Sequence, residues 1–165
     1  MPSKKKALEE RATYLTLMGL FLSIFTGFLL HKRRSHEDLN LRPFDFTLLG
    51  FATYRLGRLA AYDKVSEPLR RPFTKTEPDP SGAGEPVVPK GVGARRALGE
   101  LLSCPICSGT WIAAALVYGL GIVPGPTRAF LAIMSAIGVA ELLNAATEAL
   151  QWTGEAERKQ AGSND

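Results

Sequence analysis

From Ala12 to Leu30 the chain reads ATYLTLMGLFLSIFTGFLL, without one charged side chain. A helix of that length rises roughly 28 Å, enough to cross the hydrocarbon core of a bilayer. No other feature restricts the fold as strongly, because it changes the solvent and with it the meaning of every polar residue. Two further apolar stretches follow, at residues 105–123 and 127–150. A fourth, FDFTLLGFATYRLGRLAAY at 44–62, is interrupted by Arg55 and Arg58. The expected fold class is all-α: a polytopic membrane protein with about four transmembrane helices.

The first stretch has a basic lead of Lys4, Lys5, Lys6 and Arg11, as a secretory signal does. Its apolar run exceeds the usual length, and HKRR follows it in place of a small-residue cleavage site. It is therefore expected to be retained as a span. The segment at 44–62 is read as a span whose long arginine side chains snorkel to the headgroups; a half-inserted interfacial helix is the alternative.

Between the second and third spans, residues 74–93 are rich in Pro and Gly and are expected to form a solvated linker. GARRALGELLS then sets Leu98, Leu101 and Leu102 on one helical face, which suits a short interfacial helix on the membrane surface. Pro124-Gly125-Pro126 is expected to turn the third span into the fourth as an antiparallel hairpin. Residues 153–165 are polar and are expected to be a disordered tail. The chain thus divides into 1–43 (basic N-terminus, first span and connector), a membrane core at 44–152, and that tail.

The net charge of +4 does not indicate nucleic-acid binding, because the basic residues cluster at the ends of apolar stretches and not on a face interleaved with aromatics. Four spans place the N-terminus, the long connector and the C-terminal tail on one side. That side holds roughly thirteen basic residues against about five on the other, so both termini are expected in the cytoplasm of a multi-pass inner (plasma) membrane protein.

Cys104-Pro105-Ile106-Cys107 stands at the entry of the third span. Proline suits a first helical turn, and a thiol at a helix N-terminus meets the positive end of the dipole, which favours thiolate. The same spacing serves redox C-x-x-C sites, but their βαβ context is absent. A metal would need about four ligands; two chains could share a four-thiolate site, while His31 and His36 fall on the opposite face of the bilayer. The plainer reading is a tight helix entry with two small thiols, kept reduced and non-catalytic by the cytoplasm. Gly109 and Trp111 extend the motif as packing and interface-anchoring devices.

Arg55 and Arg58 share a helical face, and counting residues inward brings them to the depth of Glu141 on the fourth span. An unpaired carboxylate is costly there, so an intramembrane pair among Arg55, Arg58 and Glu141 is expected. Asp63, Glu67, Arg70 and Arg71 are expected to form a positive-inside flank with surface ion pairs or, as the alternative, a charged surface for headgroups or a partner, with Glu67 reaching Arg70 or Arg71 and Ser66 capping a short helix. Ala132, Ala136 and Ala140 recur at a spacing that lets helices approach closely in lipid.

Taken together, ATYRLGRLAAYDKVSEPLR and LLSCPICSGTW resemble an uncharacterised bacterial family of small integral membrane proteins, a domain of unknown function of which some members are labelled sporulation proteins. The resemblance covers about 44–150 and rests on Arg55, Arg58, Asp63, Glu67, Pro68, Arg70, Cys104, Cys107, Gly109 and Trp111. It implies a bacterial membrane protein without an assigned activity, in which the first span is an addition.

No Ser–His–Asp arrangement or metal triad is legible, which argues against a hydrolase. The function expected is non-enzymatic: a structural or partner-binding membrane component, with no cofactor, in contact with the lipid bilayer and with a second copy or another membrane protein. A thiol–disulfide or metal-binding protein using Cys104 and Cys107, and a small transporter or lipid-binding protein built on Arg55, Arg58 and Glu141, are the rivals.

Overall fold

The computed structural model describes residues 4–35, 40–77 and 86–162, the side chains of Lys4 and of 155–162 excepted. The fold is all-α apart from one short ribbon. Helix α1 (Lys4–Ser35) and helix α2 (Pro43–Tyr62) are followed by a 3-10 turn (Lys64–Ser66) and a single-turn helix α3 (Glu67–Arg70). Strands β1 (Thr74–Thr76) and β2 (Val87–Pro89) lead to α4 (Ala94–Ser103), and the chain ends in the long pair α5 (Pro105–Ile122) and α6 (Pro124–Gly162).

Among the described residues three helices are long and apolar enough to cross a membrane: Lys5–Ser35, Pro105–Ile122 and Pro124–Gly154. Helix α2 carries Asp45, Arg55 and Arg58 and is less apolar, yet it lies at the centre, packed most extensively on α6 and α5. Its buried contact is built from Leu49 and Ala52 on α2, Leu116 and Leu120 on α5 and Leu131 on α6. Apolar burial alone does not hold helices together in lipid, so close approach and polar contacts must add to it. Both occur. A Cβ on Gly57 would lie 2.6 Å from the Pro105 carbonyl oxygen, and one on Gly138 would lie 2.6 Å from that of Phe51. Ser135 Oγ donates to the Leu48 carbonyl at 2.6 Å.

These contacts fix relative direction. Asp45 meets Arg128, Leu48 meets Ser135 and Arg58 meets Glu141, so α2 runs parallel to α6. Gly57 meets Pro105 and Thr53 meets Gly109, so α2 runs antiparallel to α5. Phe21 packs edge-on against Trp111 and Phe28 against Tyr118, so α1 runs parallel to α5.

Several boundaries differ from the sequence reading. Pro124-Gly125-Pro126 is not the turn but the opening of α6; the chain reverses at Val123 (φ −134°, ψ 70°). The first turn of a helix tolerates proline because its N–H would have no intrahelical acceptor. The backbone of α6 continues to Gly162, through most of the segment expected to be a disordered tail. The expected linker is structured at its two ends: β1 and β2 pair antiparallel, Thr74 opposite Pro89 and Thr76 opposite Val87. Its middle, 78–85, lies outside the described residues, as does His36.

Helix α4 is packed on the ribbon, on α1 and on α5. Gly99 is buried where a Cβ would lie 2.5 Å from the Phe73 carbonyl oxygen, and Gly93 enters the helix at φ 63°, a conformation that glycine adopts without strain. On its α1 side, Glu100 accepts hydrogen bonds from the Tyr14 hydroxyl and from Arg96 Nε. The Tyr14 hydroxyl first, and the Arg96 guanidinium after it, hold the Glu100 carboxyl below its ordinary value. A carboxylate lowered in the folded state stabilises fully above its unfolded value of about 4.3, and that contribution fades as pH falls through the folded value. The contact between α1 and α4 should therefore hold at neutral pH and loosen in acid. In Glu100→Gln it should be loose throughout, and a spin-label distance between α1 and α4 that is equally acid-sensitive in both proteins would refute the assignment.

Candidate functional site

Arg55 and Arg58 of α2 and Glu141 of α6 converge near the end of the bundle where α2 stops and α5 begins. Arg58 Nε donates to Glu141 Oε1 at 2.6 Å, and Arg55 Nη2 donates to Asp63 Oδ2 at 2.6 Å. Arg55 Nε stands 3.8 Å from the second oxygen of Glu141, an atom that is buried and accepts no hydrogen bond among the described residues. The four side chains alternate in sign as Asp63, Arg55, Glu141 and Arg58. The guanidinium of Arg58 also lies 5.8 Å from the Tyr54 ring centroid and 5.7 Å from that of Tyr62, in cation–π range.

The surface expected at Asp63, Glu67, Arg70 and Arg71 divides. Asp63 turns to Arg55. Arg70 is only 5% exposed and points inward: Nη1 donates to the Asp63 carbonyl and to Ser66 Oγ, both at 2.6 Å, and Nη2 donates to the Tyr62 carbonyl at 3.1 Å. Tyr62 is the last residue of α2 and Asp63 its C-cap, whose carbonyls accept no bond within the helix (Asp63 also accepts from Ser66), so a cation placed there serves as a C-terminal cap for α2. Ser66 acts in the same direction. It makes no side-chain cap to α3 and instead donates back to the Leu59 carbonyl at 2.5 Å. Glu67 and Arg71 remain exposed, and among the described residues Glu67 forms no ion pair.

Ala132, Ala136 and Ala140 face outward, away from α2. The packed face of α6 is Leu131, Ser135 and Gly138, rotated from the alanines because one residue along a helix turns the direction by about 100°. Gly109 is buried with Thr53 Cγ2 3.5 Å from where its Cβ would lie, and Trp111 packs on Phe21 of α1 with ring centroids 5.3 Å apart.

Between α2 and α5 lies an open groove of about 640 Å³, lined by Gly50, Thr53, Gly109 and Ala113 along its length and by Tyr54, Arg58 and Tyr62 at one end. Cys104 and Cys107 stand beside it as free thiols, Cys104 half-buried and Cys107 exposed. Among the described residues no cluster of three or more His, Cys, Asp or Glu side chains is placed to hold a metal ion.

One polar pair escaped the sequence reading. Asp45, buried at the start of α2, accepts from Arg128 Nη2 at 3.3 Å and from the Arg42 backbone N–H at 2.9 Å. The signal was available: a lone acid and a lone arginine, each a few residues from the same end of its helix.

A protein-family model described as "Protein of unknown function (DUF1360)" matches residues 48–147, well over half of the chain. The chain belongs to the DUF1360 family. The match takes in Arg55, Arg58, Asp63, Arg70, both cysteines and Glu141, and leaves α1 outside. Among the relatives of this DUF1360 chain is the "Sporulation protein YjcA" of Bacillus subtilis, 36% identical over 99 residues that span 58% of this chain and 84% of the relative. The "UPF0713 protein YngL" of the same organism is 32% identical over 101 residues, 61% of this chain and 76% of the relative. No solved structure matches.

Proposed function

We propose that this DUF1360 protein is a non-enzymatic component of the bacterial inner membrane, with four crossing helices and cytoplasmic termini, whose α2–α5 groove seats an anionic phospholipid. The observation that carries the reading is the groove itself, apolar and lined by small residues along its length, with Arg58 at its mouth. Arg58 engages Glu141 through Nε, and its two Nη groups make no hydrogen bond among the described residues, which leaves a fork suited to a phosphate. The tyrosines beside it suit the headgroup level. Arg55, Asp63, Glu141, Asp45 and Arg128 are all paired within the chain, which favours a structural role for them over a transport path.

Gly50 allows the groove to be filled without a clash, because an added Cβ there meets nothing within 4 Å. Gly50→Leu should fold normally and retain about tenfold less phosphatidylglycerol in native mass spectrometry. The neutral pair Arg58→Gln with Glu141→Gln should lose the preference for phosphatidylglycerol over phosphatidylethanolamine. Equal retention of both lipids by the unaltered protein would remove the lipid reading.

The crossing of α2 is supported by its run beside α6 from Asp45 to Arg58, which puts both helices in one slab. The end it shares with α4 carries Lys64, Arg71, Lys90, Arg95 and Arg96, as a cytoplasmic face would. Reporter fusions after Arg34, within 78–85 and at the C-terminus should read periplasm, cytoplasm and cytoplasm. A periplasmic signal from the middle fusion would sink the four-span arrangement.

A further inference from the structure

Cys104 occupies the N-cap of α5, with extended backbone (φ −103°, ψ 109°) and Pro105 in the first turn. Its sulfur accepts the Cys107 backbone N–H at 3.3 Å and is in contact with the Cys107 thiol. The positive end of the α5 dipole lies at the same sulfur. A cysteine kept only for packing is normally enclosed by apolar neighbours, and Cys107 is exposed. Two thiols in contact, one at a helix N-cap and one exposed, are not accounted for by a tight helix entry, which needs Pro105 and a cap but no second sulfur.

We propose that Cys104 and Cys107 form a reversible dithiol–disulfide couple that exchanges with disulfides at the aqueous face of the membrane, Cys104 being the attacking thiol. The Cys107 thiol hydrogen bond, helped by the backbone N–H groups of Cys107 and Ile106, holds the Cys104 thiol below its ordinary value against the opposing effect of burial. The Cys104 thiolate attacks one sulfur of a partner disulfide, RSSR; a Cys104–S–S–R bond forms, the S–S bond of the partner breaks, and RS⁻ leaves and takes a proton. Cys107, having lost its proton to solvent, then attacks Cys104 Sγ, and the second RS⁻ departs and is protonated. The two cysteines are oxidised by two electrons and one RSSR is reduced to two RSH. In a reducing cytoplasm the couple rests as the dithiol, and the bond forms when an oxidised partner arrives.

The test uses the full chain in lipid nanodiscs, equilibrated with mixtures of reduced and oxidised glutathione and read by intact mass after thiol alkylation. The unaltered protein should lose two hydrogens in a single reversible step and resist alkylation at both sites once oxidised. Cys107→Ser should stop at the mixed disulfide, carrying one glutathione on Cys104. Cys104→Ser should form its adduct at least about tenfold more slowly at neutral pH, because Cys107 has no comparable stabilisation of its thiolate. Absence of the internal bond at full oxidation would overturn the proposal, and so would equal adduct rates in the two single variants. Stoichiometric zinc that protects both thiols and is lost with either serine would also overturn it, in favour of a metal site between chains.

Discussion

Glu141→Leu is expected to be the most damaging single substitution in the bundle. It leaves Arg58 without its 2.6 Å partner and Arg55 with one acid in place of two. Breaking a buried pair costs about 3–5 kcal/mol, and the lower figure applies here because the Arg58 side chain is 42% exposed. Thermal unfolding in detergent gives the measurement. Arg58→Leu together with Glu141→Leu should recover part of the loss, since no lone charge then remains among the helices. The corresponding cycle with Arg55 should show the weaker coupling, because Arg55 stands 3.8 Å from Glu141 and keeps Asp63. Additive effects in both cycles would reject the pairing and would require another partner for Glu141.

Arg70→Met should be nearly as costly, although Arg70 lies in a segment whose other charges face solvent. The substitution removes donors to the Asp63 and Tyr62 carbonyls and to Ser66 Oγ; the Asp63 carbonyl keeps Ser66 as a donor, and the Tyr62 carbonyl loses the Arg70 bond. Hydrogen bonds from a charged donor contribute about 1.5–3 kcal/mol each, though the three will not add, so a loss of about 3 kcal/mol is expected. Arg70→Lys should recover little, because one ammonium cannot reach acceptors that Nη1 and Nη2 approach from two directions. Arg71→Ala, next to it and exposed, should stay within about 0.5 kcal/mol of the unaltered protein. If Arg70→Met behaved like Arg71→Ala in the same unfolding assay, Arg70 would not be the cap of α2.

The contrast between these two arginines shows where sequence reading stops. Arg70 and Arg71 are neighbours of the same type, and a headgroup-facing surface would use both. What separates them is the direction in which the chain returns after Tyr62. The turn at Lys64–Ser66 brings Arg70 back under the end of α2, where it donates to the Tyr62 and Asp63 carbonyls, while Arg71 is exposed. Glu141 was easier, because counting residues along two spans fixes depth, and depth together with the cost of an unpaired charge names a partner. It could not rank the partners: Arg58 takes the short contact and Arg55 turns to Asp63. For the alanine stripe, spacing gave a periodicity but not the face that packs within the chain. Ala132, Ala136 and Ala140 have the right repeat, but Ser135 and Gly138 carry the approach to α2.

By itself the sequence determined the class of solvent and the helical content. A charge-free run from Ala12 to Leu30, and the apolar runs within α5 and α6, leave helices as the economical way to satisfy the backbone in lipid. It also determined the helix entry at Pro105, because proline is accepted in a first turn and rejected further in. Only the tertiary structure decided which faces meet. Each residue turns a helix by about 100°, so a stripe is legible along one helix while its neighbour depends on where three others stand. That arrangement, set by close approach at Gly57 and Gly138, opened the groove beside Arg58 and turned Arg70 inward.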